Sequence, residues 1–230
     1  MLTKLAKTGT QYEYSGEKYK SPAGILLNSR TAVETEFFVS TGVLSYAEGD
    51  LLEIEIPEYA RFQLGDSAKI TVYSPGGIYT FLSRVVAKGE GALVFINPPA
   101  NRNRFVEKRE HPRVEVNEAG TLRTTLASAT ETNPMIIQNI SVSGLGFTFQ
   151  EELKLGSTYQ MEAELGQGCS LRCEVEIMRM ERIGEEHYYG ARYVGLGTDK
   201  VRPLRAFILK KQVELHFERK KKESSKRTFK

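Results

Sequence analysis

The sequence predicts a mainly β fold: two small β-barrel domains joined by a short basic linker, with a C-terminal helix on the second. Three observations carry this. Short runs rich in Val, Ile, Phe and Tyr recur from residue 24 to residue 196, with Gly, Pro and Asp turn signals between them. Two adjacent prolines, Pro98 and Pro99, interrupt that pattern near the middle and open a polar, basic stretch. Helical periodicity is confined to the last thirty or so residues.

In the first domain the expected strands are 24–30, 33–39, 51–56, 68–74, 79–88 and 92–98. Turn signals fall at 48–50 (EGD), 64–67 (LGDS), 74–77 (SPGG) and 88–91 (KGEG). Short strands at such spacing suggest a barrel or sandwich. The break NPPANRNRF places a boundary near 98–108, because proline cannot donate to a strand ladder. The second domain resumes with RVEVNEAGTLRTTLA, PMIIQNI, LGFTF, TYQMEAEL, SLRCEVEIMRMERI and HYYGARYVGL. Val201, Leu204, Phe207, Ile208 and Leu215 then recur at helical spacing and predict one helix over 199–222. Asp199 or Thr198 suits its start, Pro203 is tolerable near the first turn, and Lys220–Lys222 suit the negative end of its dipole. The expected domains are thus 1–98, a linker 99–108, a second domain 109–222 and a basic tail 223–230.

At 230 residues and 40% hydrophobic content the chain can bury two cores. Its longest apolar run, ALVFI at 92–96, is far short of the roughly 20 residues a membrane helix needs. MLTKLAKTGTQYEY has no apolar signal core, so the expected location is the cytoplasm. Cys169 and Cys173 would lie about 13 Å apart along a strand, too far to bridge, and no histidine stands near them at metal-ligand spacing. Two thiols in a reducing compartment is the reading.

Net charge is +3, unevenly spread. Residues 1–99 carry −2, residues 100–113 carry +3, residues 114–217 carry −3 and residues 218–230 carry +5. This is not the broad basic face of a duplex-binding protein; it is a small local anion site plus a charged terminus. Catalysis finds little footing. No Ser-centred elbow, HExxH, P-loop or strand-linked GxGxxG is present, and His111, His187 and His216 are scattered. The sequence predicts a protein that is not an enzyme and that carries neither cofactor nor metal.

Two stretches stand out, EKREHPR (107–113) and NISVSGLG (139–146). Arg109 and Arg113 offer rigid planar forks that pair bidentately with phosphate or with the O6/N7 edge of guanine. An R-x-x-x-R spacing arises by chance about once in such a chain, and the bland reading is a pair of surface arginines balanced by Glu107 and Glu110. Asn139 supplies a donor and an acceptor, Ser141 a hydroxyl, and Gly144 a position free to take positive φ where a flat ring can approach. The bland reading there is an ordinary hairpin turn. Each motif alone favours the bland reading. Together, on consecutive parts of one β domain, they point to a purine-and-phosphate site.

KREHPRVEV followed by NISVSGLGFTF resembles the paired signature of the PilZ domain, R-x-x-x-R then [DN]-x-S-x-x-G, with every defining position filled. YYGARYVGL and LRAFILKKQVELHFERK are similar to the family's late strand and closing helix, so the likeness covers about 104–222. The first domain resembles, in arrangement more than motif, the N-terminal module of YcgR-like flagellar-brake proteins. The resemblance implies a six-stranded barrel that binds cyclic di-GMP through Lys108, Arg109, Arg113, Asn139, Ser141, Ser143 and Gly144, with Arg104 and Arg192 as outer candidates. Ser143 stands where many members have a second glycine, and Lys108 where an arginine is frequent, a position tied in the family to one or two bound ligands. It further implies an effector whose interdomain arrangement changes on binding and which regulates a protein partner, a flagellar motor or stator component. Two other readings stay open: a barrel that binds single-stranded nucleic acid, and a ligand-independent scaffold.

Overall fold

The computed structural model describes residues 25–98, 111–126, 129–166, 168–184 and 186–227. The chain divides into two compact units, the first drawn mainly from residues up to Val106 and the second mainly from Glu107 onward. Each is a closed six-stranded antiparallel barrel.

The first barrel is built from β1 (Arg30–Glu34), β2 (Val39–Glu48), β3 (Leu51–Glu55), β4 (Ser67–Ser74), β5 (Gly77–Gly89) and β6 (Ala92–Ile96), joined in the order β1-β2-β3-β6-β5-β4. Alternation sends Leu44, Leu52, Ile54, Ile70, Val72, Leu93 and Phe95 into the core, where Phe62 fills one end. The strands expected at 24–30 and 33–39 are out of phase with this. Asn28 takes a left-handed φ of 64°, and its N–H bonds to the Leu44 carbonyl, so the chain turns there and β1 starts only at Arg30. The hydroxyl oxygen of Thr35 then accepts from the N–H groups of Phe37 and Phe38, closing a tight turn in the middle of the second expected run. Strand β2 follows in VSTGVLSYAE, whose small and polar residues hide its strand character. Gly42 is required there, since a Cβ would stand 2.2 Å from the Glu55 carbonyl oxygen.

On the outer wall the register aligns Val39, Glu34, Lys69 and Leu82 in one row and Val43, Arg30, Tyr73 and Ile78 in another, with Thr41, Ala32, Thr71 and Thr80 between them. Leu82 and Ile78 are 75% and 70% exposed. A Glu34–Lys69 ion pair is embedded in an otherwise mostly uncharged face.

The second barrel comprises β7 (Val114–Leu126), β8 (Ala129–Ile140), β9 (Gly144–Phe149), β10 (Thr158–Glu164), β11 (Ser170–Ile183) and β12 (Glu186–Val194), ordered β10-β11-β12-β9-β8-β7 and closed by β7 on β10. Its core joins Leu122, Ile137, Phe147, Met161, Val175 and Tyr189 to Leu204, Phe207 and Ile208 of helix α1 (Thr198–Arg227). The apolar stripe therefore packs on the barrel, and the helix is the single one the periodicity predicts. The Gly197 carbonyl accepts from Lys200 and Val201 to start it. The Tyr189 hydroxyl donates to the Glu151 carbonyl and accepts from the Leu153 N–H, fixing the β9–β10 connection.

Both cysteines are free thiols, Cys169 buried and Cys173 half-buried. Burial pushes the Cys173 thiol up from its ordinary 9.0 to about 11, with Lys200 opposing weakly, and burial likewise raises Cys169 and the Tyr193 phenol. In each case the fold favours the neutral form. The contribution of Cys173 is therefore complete below about pH 9 and is lost as pH rises from about 9 through about 11, because only the unfolded thiol ionises at the lower end. Urea denaturation should show stability falling over that window, with a shallower fall in Cys173→Ala.

Candidate ligand site on the outer wall of the second barrel

Three β-bulges shape one part of this barrel. They lie in β7 between Glu115 and Glu118, in β8 between Ile137 and Asn139, and in β11 between Ile177 and Arg179. A bulge inserts an unpaired residue and re-aims the side chains beside it. Here the result is an outward-facing band with Val114, Ile137 and Ile140 buried beneath it. Register places Glu115 across from Asn139, Asn139 across from Gly146, Gly146 across from Gly190, and Gly190 across from Arg179.

Asn139, Ser141, Ser143 and Gly144 are brought together at the β8–β9 hairpin. Ser141 is only 2% exposed. Its Oγ lies 3.1 Å from the Gly144 carbonyl oxygen, to which it donates, and accepts from the Ser143 N–H at 3.3 Å. Its N–H also bonds to the Gly144 carbonyl, at 2.8 Å. The serine is thus spent on holding the turn, while the exposed Ser143 is the hydroxyl presented to solvent. Gly144 is required for a reason other than the expected one. Its φ is not positive; instead a Cβ would stand 2.1 Å from the Ala191 carbonyl oxygen and 3.0 Å from the Arg192 Cα, so strand β12 could not approach.

Arg113 immediately precedes β7, one residue before the Val114↔Ile140 pair, which sets it beside the same turn, and it is exposed. Arg192 lies across from Gly144 but is engaged with Glu176, its Nε donating at 2.8 Å. Lys108, Arg109 and Arg104, with nearly all of the expected linker, lie outside the described residues.

Four residues of this wall escape the motif. The Asn139 amide donates to the Tyr188 hydroxyl at 2.7 Å. The Arg179 guanidinium stands 5.3 Å from the Tyr188 ring centroid, with Nη2 3.5 Å from the same hydroxyl. Gly146 and Gly190 leave room for this arrangement, since a Cβ on Gly146 would meet the Tyr188 Oη at 2.0 Å and one on Gly190 the Arg179 side chain at 2.7 Å. The signal for them is alternation: Gly144-x-Gly146 and Tyr188-x-Gly190-x-Arg192 each put their members on one face of a strand.

Beside Asn139 opens a cavity of about 560 Å³ lined by Glu115, Asn117, Gln138, Glu181 and Tyr188, among others. Two carboxylates with carboxamides suit a group bearing N–H donors and repel phosphate. The cationic side of the wall is at Arg113. A base at the cavity and a phosphate at the arginine is the orientation this polarity favours. Among the described residues, no group of three or more Cys, His, Asp or Glu side chains could hold a metal ion.

The outer wall of the second barrel thus gathers Asn139, Tyr188, Arg179 and the exposed Arg113 and Ser143 around the β8–β9 hairpin. Residues 107–210, which take in the second barrel and the first part of its helix, match the family described as PilZ domain. No curated protein matches the sequence. Among solved structures the chain is similar to the Bacillus subtilis inhibitor of motility MotI/DgrA (14% identity, 83% of this chain and 99% of that one, TM-score 0.41). It is also similar to Escherichia coli YcgR in complex with c-di-GMP (17%, 87% and 88%, 0.39) and to a K. pneumonia MrkH–c-di-GMP complex (14%, 84% and 90%, 0.40). No helix among the described residues is long and apolar enough to cross a membrane.

Proposed function

We propose that this protein is a cyclic di-GMP receptor without enzymatic activity, acting in the cytoplasm as an effector on a protein partner. The observation that carries the reading is the placement of exposed Arg113 beside the Asn139–Gly144 hairpin of a PilZ domain. Arg109 and Arg113 clamp phosphate and the O6/N7 edge of guanine. The Asn139 carboxamide takes the remaining guanine groups and Ser143 offers its hydroxyl, while Ser141 holds the turn and Gly144 keeps β12 against it. Lys108 lies next to the clamp in sequence and sets whether one or two ligands stack there. Arg104 and Arg192 add outer positive charge. Ligand capture by the segment 99–113 changes the arrangement of the two barrels, an order-linked switch. The output is altered contact with a motility component, a flagellar motor or stator protein, and the mostly uncharged outer face with Leu82 and Ile78 is the surface assigned to that contact.

Calorimetric titration tests the binding step. Cyclic di-GMP should bind the full chain at micromolar concentration, with a stoichiometry of one or two per barrel. Absence of heat at that concentration would sink the reading. A salt-dependent gel shift with single-stranded nucleic acid in the absence of the dinucleotide would replace it with the other binding class.

A further inference from the structure

We propose that two copies of this chain associate through the outer wall of the first barrel, face to face over β2, β1, β4 and β5, about a twofold axis running between β1 and β4. The pairing stands apart from the ligand reading. That it withholds this face from a motility partner rests on the reading above, which assigns the same face to that contact.

The surface comes first. Val39 and Tyr73 are 62% and 50% exposed, and they join Leu82, Ile78 and Val43 on one wall. Single exposed apolar side chains are ordinary, but a group of them on adjoining strands marks an interaction surface. Because the barrel is closed, its strands are already paired on both sides. A partner therefore meets the face and not a strand edge.

The occupant follows from the register. Across β2, β1, β4 and β5 one row reads Val39, Glu34, Lys69, Leu82 and another reads Val43, Arg30, Tyr73, Ile78. A twofold axis parallel to the strands exchanges β2 with β5 and β1 with β4 and keeps each row in place. Val39 then faces the second copy's Leu82, and Val43 faces its Ile78, so apolar corners meet apolar corners. Glu34 faces the second copy's Lys69, and Arg30 lies over its Tyr73 ring. Between these rows runs Thr41, Ala32, Thr71 and Thr80, small enough for two twisted sheets to approach at the usual spacing of about 10 Å. Glu34 and Lys69 already pair within one copy, so the contact closes a ring of four alternating charges. A wall complementary to itself under one rotation fits a second copy, whereas an unrelated protein would have to supply the reversed pattern independently.

Area sets the strength. Four strands and the five residues of β1 span roughly 19 by 17 Å. That lies at the lower end of specific interfaces, so the pair forms and parts, with a Kd on the order of 10 µM.

Sedimentation velocity of the full chain, without ligand or partner, tests this. Wild type should pass from monomer to dimer between about 1 and 100 µM. Leu82→Asp, at a position 75% exposed, should weaken association about tenfold or more. Charge exchange then reads the axis. Glu34→Lys alone and Lys69→Glu alone each set like charges face to face, and each should self-associate about tenfold more weakly or worse. Mixed in equal amounts, the two variants present opposite charges to each other, and association should return to within about threefold of wild type. Misfolding, or loss of the Glu34–Lys69 pair within one copy, would not be repaired by mixing. A wild type still monomeric at about 100 µM, undiminished association of Leu82→Asp, or a mixture no stronger than its components overturns the pairing. Titration with cyclic di-GMP is read separately: a chain that dimerises but binds no dinucleotide removes the functional reading alone, and one that binds while monomeric removes the pairing alone.

Discussion

Gly144→Ala should cost the second barrel roughly 2–4 kcal/mol of stability, and binding should fail with it. The added methyl would stand 2.1 Å from the Ala191 carbonyl oxygen, and both contacting atoms of β12 are backbone. Neither can rotate away, so β9 and β12 must separate and the Ser141–Gly144 turn must shift. Gly146→Ala is the informative contrast. Its methyl meets the ends of two side chains, Tyr188 and Asn139, which can swing aside. That variant should lose about 1–2 kcal/mol and keep the fold while disturbing the site. Urea denaturation of the two side by side checks the ordering. A Gly144→Ala protein within 0.5 kcal/mol of wild type would contradict the geometry assigned to this wall, on the usual scale for a neutral surface change of about that size.

Arg113→Ala should weaken cyclic di-GMP binding by about 100-fold, since charge-assisted bidentate bonds to phosphate or guanine are lost together. Arg113 is exposed, so the fold should tolerate the change and the melting temperature should hardly move. Arg109→Ala should behave alike. Arg123→Ala provides the control: it lies on β7 across from Gln160, to which it bonds at 3.2 Å, away from the β8–β9 hairpin. Its affinity should stay within twofold of wild type. Equal losses in Arg113→Ala and Arg123→Ala would reduce the role of Arg113 to general surface charge.

What was legible in the sequence follows the physics of each signal. The helix was visible over 199–222 because its apolar stripe meets the barrel at a single period, while its continuation to Arg227, into the expected basic tail, carries no such stripe. Most turns were visible because glycine and proline announce them, as at Gly77 and Gly91, both with positive φ. The two strands at the start of the first barrel were misplaced because their turns are made by Asn28 and by the side chain of Thr35, residues that also occur inside strands. In the site, the motif found the hairpin, but the reasons attached to it changed. Ser141 is a turn-holder buried at its own bonds, and Gly144 answers to a neighbouring strand forty-seven residues away in sequence, which no local pattern records. The pairing of Tyr188 with Arg179 was out of reach for a similar cause. Their partnership depends on the bulge at Met178 and on two glycines across the sheet, all set by register.

Mapping the ligand onto the barrel tests the central claim most directly. Backbone amide shifts of the ¹⁵N-labelled full chain should be followed during titration with cyclic di-GMP. The largest changes should fall at Arg113, along 139–146 and at 188–192, with the connector 99–110 responding in step. Saturating changes confined to the first barrel, or no changes at micromolar ligand, would contradict the account.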